Sequence, residues 1–263
     1  MPKFAANLGL LWPDRPLLER MEAAARSGFR AVEFHFPYAT PAIELARCAR
    51  ALGLTVLGIN APPGDVTQGE FGLAALADRK RDFDASLDQA VEYASECGAP
   101  QIHVLAGNVP PPKRADARRV LIDNLGQAAA RAASRGLVVL IEPLNHHDRP
   151  QYFYATVAEA ESIIEAVGAP NLKLQFDCYH VGRSVDQGVQ DFVLRELERV
   201  RAMVGHVQIA GVPSRAEPDE GLLDYGRVLS WLQTLGYQGW IGAEYQPRAD
   251  TDAGLRWLRQ WAA

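Results

Sequence analysis

Four oxygen-bearing side chains, Glu142, Asp177, Gln208 and Glu244, recur at intervals of 35, 31 and 36 residues. Each belongs to a short apolar run: "LVVLIE", "LKLQFD", "HVQIAG" and "WIGAEY". An acid at the end of a buried run needs a partner or a bound group, because an uncompensated carboxylate is rarely buried. Three carboxylates brought together would repel and raise one another's pKa values unless a cation neutralised them. Carboxylate and amide oxygens suit a hard divalent ion, Mg²⁺ or Mn²⁺, with Zn²⁺ as the alternative. Taken singly, an acid at a strand end also serves as a helix N-cap or a salt-bridge partner. Four at similar depth on successive strands favour a metal centre.

The six histidines, His35, His103, His146, His147, His180 and His206, all fall within or just after predicted strands. That places them on the face where the strands end. His206, in mid-strand, reads as a buried ring satisfying a backbone group. His180 stands three residues after Asp177 in "DCYH", where the chain leaves its strand and can turn back over a bound ligand. Arg215, in "GVPSRAEP", offers the planar fork that suits a substrate carboxylate, with a solvated surface role as its alternative. His180 and Arg215 are therefore the candidate substrate contacts. Residues 60–75, "NAPPGDVTQGEFGLAA", form a long Gly/Pro-rich connection after the third strand and could act as a lid. Cys178 has no neighbouring base and reads as packing.

The elements that must hold these residues follow one repeated pattern: an Ala/Leu/Arg/Glu-rich helical stretch, a glycine, then a short apolar strand. The glycines are Gly28, Gly53, Gly98, Gly136, Gly168, Gly205 and Gly236, each expected as a left-handed helix C-cap. With the N-terminal "KFAANLG" the pattern predicts eight strands alternating with helices. In "KRADARRVLIDNLGQAAARAASRG" the stripe Ala117, Val120, Leu121, Leu125, Ala128 and Ala132 gives a helix one apolar face. With no composition break or linker, residues 1–263 read as one α/β domain, a closed (β/α)₈ TIM barrel, in which chemistry sits at the C-terminal ends of the strands. The alternative is a doubly wound open sheet, whose usual nucleotide motifs G-x-G-x-x-G and G-x-x-x-x-G-K-[ST] are missing here.

The 263 residues are 48% hydrophobic and 22% charged, with a net charge of -5. No apolar run approaches the length of a membrane span, and the charge gives no reason to seek nucleic acid or an anionic membrane. Three well-separated cysteines, Cys48, Cys97 and Cys178, suggest reduced thiols rather than disulfides or a thiolate zinc site. Without a signal-like segment in "MPKFAANLGLLW", a cytoplasmic setting is expected. A homo-oligomer is compatible with all of this.

Taken together, "ANLGLLW", "GFRAVEFHFPY", "PPGD" with "GEFGLAA", "IEPLNHHD", "LQFDCYH", "GHVQIAGVPSRAEP", "GWIGAEYQP" and "GLRWL" resemble the hydroxypyruvate isomerase family, a branch of the xylose isomerase-like barrels. The likeness runs over essentially the whole chain. It implies a metal-dependent barrel in which Glu142 and Glu244 are proton donor and acceptor, and the metal is held by Glu142, Asp177, Gln208 and Glu244. The implied reaction converts hydroxypyruvate to tartronate semialdehyde through an enediolate. Within the same barrel, a 2-oxo-tetronate isomerase or a keto-sugar 3-epimerase are the rivals. A metal-dependent endonuclease or a non-catalytic ligand-binding barrel are rivals of another class. The expected substrate is a small anionic hydroxy-keto acid, with no cofactor beyond the metal. One departure stands out: "EGLLDY" carries Leu222 where relatives have an acidic residue, which bears on the loop after the seventh strand.

Overall fold

Eight short strands lie side by side, each parallel to the next, and the last returns to the first to close a barrel. They are β1 (Lys3–Asn7), β2 (Ala31–Phe34), β3 (Thr55–Asn60), β4 (Gln101–His103), β5 (Val138–Ile141), β6 (Leu172–Asp177), β7 (Val204–Ile209) and β8 (Trp240–Ala243). The computed structural model describes residues 2–261, so the first residue and the last two of the predicted 1–263 domain lie outside it.

The helices α1 (Leu17–Arg26), α2 (Ala42–Leu52), α3 (Lys80–Cys97), α4 (Arg114–Ala133), α5 (Val157–Val167), α6 (Cys178–Gly182), α7 (Val189–Val200), α8 (Tyr225–Thr234), α9 (Thr251–Gly254) and α10 (Arg256–Trp261) follow in alternation. This is the predicted (β/α)₈ architecture. The α4 stripe faces the barrel as expected, with Ala117, Leu121, Leu125, Ala128 and Ala132 buried. Val120 is only partly covered. Asn124 is buried instead, and its Nδ2 donates to the Ala74 carbonyl at 2.8 Å. Among the described residues no helix is long and apolar enough to cross a membrane.

Gly53, Gly98 and Gly168 are left-handed C-caps of α2, α3 and α5, as the pattern predicts. Gly28, Gly136 and Gly236 take positive φ just past their helices. Gly205 is different. It lies inside β7, where Leu174 pairs with Val204 but Gln175 pairs with His206, so Gly205 is the extra residue of a bulge. A Cβ there would stand 2.7 Å from the Lys173 Cβ and 2.9 Å from a Leu140 methyl. The bulge sets the register above it, and Gln208 pairs with Asp177.

Candidate active site

Glu142 and Glu244 each stand one residue beyond their strands, Asp177 ends β6, and Gln208 is the fifth residue of β7. All four are buried, none more than 6% exposed. The structure thus brings together the four side chains that the spacing singled out. Gln208 also pairs with Gly242 of β8, and the Glu244 amide donates to the Ile209 carbonyl at 3.1 Å, which seats β6, β7 and β8 in order around the site.

Their hydrogen bonds leave a specific set of atoms without partners. Glu142 accepts one bond, from Gln175 Nε2 to its Oε2 at 2.8 Å; its Oε1 has none. Asp177 Oδ1 caps α6 by accepting from the Tyr179 amide at 2.8 Å, whereas its Oδ2 is free. Gln208 donates its Nε2 to Glu33 Oε1 at 2.6 Å and to Glu244 Oε2 at 2.5 Å, which orients its amide and leaves Oε1 free. Buried acceptors without partners are rare in folded proteins, and three on adjoining strands are the donor set that a hard cation uses.

Glu244 is more fully engaged. Its Oε1 meets Arg215 Nη2 at 2.7 Å and His35 Nε2 at 3.3 Å. Its Oε2 accepts from Asn7 Nδ2 at 3.0 Å as well as from Gln208. The electrostatics follow. Burial, and then the charges of Glu244 and Asp177, push the Glu142 carboxyl well above its ordinary range. Burial and the Glu244 charge push Asp177 up to about 7. Burial acts the same way on Glu244, but His35 and Arg215 outweigh it and hold that carboxyl well below its ordinary range.

His180 lies in α6, one turn beyond Asp177, and is buried. Ligand atoms of Glu142, Asp177 and His180 fall within 4.8 Å of one another, so the ring is a potential metal ligand by distance. Its hydrogen bonds argue for another role. The Asn145 amide N–H donates to Nδ1 at 3.1 Å, with Asn145 Nδ2 at 2.7 Å from the same atom. Nδ1 is therefore the unprotonated nitrogen, and the neutral ring carries its proton on Nε2. Burial first and Arg215 next lower the His180 pKa to about 3, so the ring stays neutral. Nε2–H is a hydrogen-bond donor, 3.8 Å from Asp177 Oδ2.

Glu142, Glu244, His180 and Arg215 line one cavity of about 190 Å³. His35 and His103 line it too, and burial lowers the His103 pKa to about 4. His146 and His147, in contrast, are exposed on the loop after β5. His206 is buried in the barrel, with its Nε2 at 2.6 Å from Glu33 Oε2, so its partner is a carboxylate rather than the expected backbone group. Leu222 is 56% exposed and outside the cavity wall, so the departure seen in the loop after β7 does not reach the pocket. Within the 60–75 connection, Phe71 does line the cavity.

Three contributors escaped the sequence reading. Glu33, at the register position opposite Asn7, accepts from Asn7, Gln208 and His206 and so fixes the Gln208 amide. Asn145 sets the His180 tautomer. Arg149 lines the cavity from the loop after β5. Glu33 carried a readable signal, since "AVEF" sets a glutamate inside a short and otherwise apolar strand.

Residues 21–261 match the family model described as the xylose isomerase-like TIM barrel. The chain belongs to that family. It is 49% identical to a 2-oxo-tetronate isomerase of Cupriavidus necator, over 99% of each chain. It is 42% identical to a putative hydroxypyruvate isomerase of Homo sapiens, over 98% of this chain and 95% of that protein. A crystal structure described as an AP endonuclease, family 2, from Brucella melitensis superposes with a TM-score of 0.94 at 39% identity, covering 99% of both chains. Membership of this family agrees with the resemblance read from the sequence, and both curated relatives are isomerases by name.

Proposed function

We propose that this chain is a metal-dependent isomerase that moves a carbonyl between adjacent carbons of a short anionic hydroxy-keto acid. The observation that carries the reading is the set of three buried, unpartnered oxygens on Glu142, Asp177 and Gln208 beside the engaged carboxylate of Glu244. Bound there, Mg²⁺ or Mn²⁺, with Zn²⁺ as the alternative, supplies Lewis-acid stabilisation of the negative charge that develops on the substrate oxygens.

The chain's own residues do the rest. Isomerisation takes a proton from one carbon and returns one to its neighbour through an enediolate. Glu142 accepts a single hydrogen bond against the several that hold Glu244, so it is the more basic carboxylate and the one assigned to take the proton. Glu244, held ionised by Arg215 and His35, takes the proton of the substrate hydroxyl and delivers it to the neighbouring carbon, and Glu142 returns the proton it took to the former carbonyl oxygen, so that both carboxylates are regenerated. His180 Nε2–H and the unpartnered Nε of Arg215 hold substrate oxygens between them.

A cavity of about 190 Å³ matches a three- or four-carbon acid and not a strand of nucleic acid. The net charge of -5 also counts against an endonuclease, the description given to the Brucella structure. Sequence blocks alone put hydroxypyruvate first. A 2-oxo-tetronate isomerase at 49% identity, against 42% for the putative hydroxypyruvate isomerase, brings the four-carbon acid level with it or ahead. Three reduced cysteines fit a cytoplasmic setting. The deciding assay presents purified, metal-supplemented protein with hydroxypyruvate, 2-oxo-tetronate and neutral keto-sugars. Turnover of a short acid supports the reading, and turnover confined to neutral sugars replaces it with an epimerase.

A further inference from the structure

One wall of the cavity carries an exposed arginine. Arg149 lines the cavity together with Glu142, His180, Arg215 and Glu244. Its guanidinium lies over the Phe71 ring, 3.8 Å from the centroid, which joins the loop after β5 to the connection after β3. Its backbone is fixed as well: its amide donates to the Asn145 carbonyl at 3.0 Å, and Asn145 is the residue that sets the His180 tautomer. The adjacent carboxylate does not pair with it. Asp148 Oδ2 accepts instead from Tyr179 Oη at 2.8 Å and from Asn145 Nδ2 at 3.1 Å. Among the described residues, Arg149 has no ion-pair partner. Arg215, the other arginine on the wall, has Nη2 committed to Glu244.

The wall is thus divided by charge. The acidic pole of Glu142 and Glu244 faces the metal site, and Arg149 and Arg215 bring two like charges to the same small space. The covered part of the side chain first, and then the Arg215 charge, disfavour the charged form of Arg149, with Asp148 opposing them. A bound anion would reverse that penalty.

We infer that Arg149, held by Phe71, is the anchor for the substrate's carboxylate, leaving Arg215 to hold Glu244 and an oxygen near the reacting carbons. The inference rests on the proposed reaction for its substrate class. Its chemistry is general: a guanidinium fork, already stacked and short of an anion, meets a planar carboxylate with two parallel hydrogen bonds. The carbonyl and hydroxyl of a three- or four-carbon acid then point to the acidic pole. A neutral keto-sugar has no group for this fork.

The test compares wild type, Arg149→Met, Arg149→Lys and Arg215→Ala as metal-loaded proteins. Hydroxypyruvate and its neutral counterpart dihydroxyacetone serve as ligands, read by calorimetric binding and by turnover. Arg149→Met keeps an apolar stem on Phe71. It is expected to weaken acid binding and raise KM about ten- to a hundredfold, with kcat changed by a smaller factor and dihydroxyacetone unaffected. Arg149→Lys should recover part of that loss, which a purely structural role would not require. The inference is overturned if Arg149→Met binds the acid as wild type does, if both ligands are lost equally, or if wild type binds no short acid. Binding without turnover of any acid would sink the proposed reaction while leaving the anchor standing.

Discussion

Asp177 and Gln208 are register partners on β6 and β7, and each ends in a buried oxygen that no hydrogen bond reaches. A donor pair of this kind, completed by Glu142 Oε1, predicts one divalent cation per chain. Chelated protein should keep its helical circular dichroism and lose turnover, and Mg²⁺ or Mn²⁺ should restore it. Asp177→Asn should weaken the metal at least about tenfold, since an amide oxygen is the poorer ligand for a hard cation. Full turnover by rigorously metal-free protein would defeat the assignment.

Glu142 and Glu244 differ in how tightly they are held, and replacing each by Gln should separate their tasks. Glu142→Gln should remove both turnover and the exchange of substrate C–H for deuterium. Glu244→Gln should cut turnover while leaving measurable exchange, because the first proton transfer survives. Losses of about 10² or more are expected for a displaced acid-base group. Two folded variants with near-normal rates would dispose of the two-glutamate scheme.

The pH dependence has a defined sign. In the metal-free protein Asp177 titrates at about 7, and Glu142 is raised as well, whereas unfolded carboxyls titrate near about 4. Between those values the folded state binds more protons than the unfolded one, so these groups stabilise the fold below that window and lose that contribution as pH rises through it. A cation displaces the same protons, so its affinity climbs over the same range. The gain in Tm on adding Mn²⁺ should therefore be larger at about pH 8 than at about pH 5.5, and Asp177→Asn should flatten the difference. An equal gain at both values would contradict the protonated pair.

Arg215 touches Glu244 through Nη2 and stacks over Tyr179 at 5.2 Å. Its removal should therefore act mainly on the chemical step. Arg215→Ala is expected to lower kcat at least about tenfold, with a KM rise smaller than that of Arg149→Met. Steady-state kinetics on the same acid substrate decide it, and a pure KM effect would return the carboxylate to Arg215.

The barrel and its four oxygens were legible in the sequence because both depend on short-range signals: apolar runs of strand length, a glycine before most of them, and a polar residue at the far end. Gly205 misled for a physical reason. A glycine ahead of an apolar run serves a C-cap or a bulge equally well, and only the pairing of Leu174 with Val204 tells them apart. Glu33 works through Asn7 and His206, 26 and 173 residues away, and no local pattern reports such partners. Arg149 sits in an aperiodic loop, and its position is set by Phe71 from another loop. The histidine count overreached for the opposite reason, since His146 and His147 share the loop but not its inner surface.

Strand β7 spends two residues, Val204 and Gly205, where β6 spends one. A side chain at position 205 would have no room in the bulge, and the strand could relieve the crowding by drawing that residue into the ladder. Val207 would then stand opposite Asp177, and Gln208 would turn toward the helices, because a one-residue slip exchanges the two faces of a strand. Gly205→Val would still spell every ligand in order. A search by residue identity would score it as intact, while the barrel would have miscounted by one and presented a valine where the cation needs an oxygen.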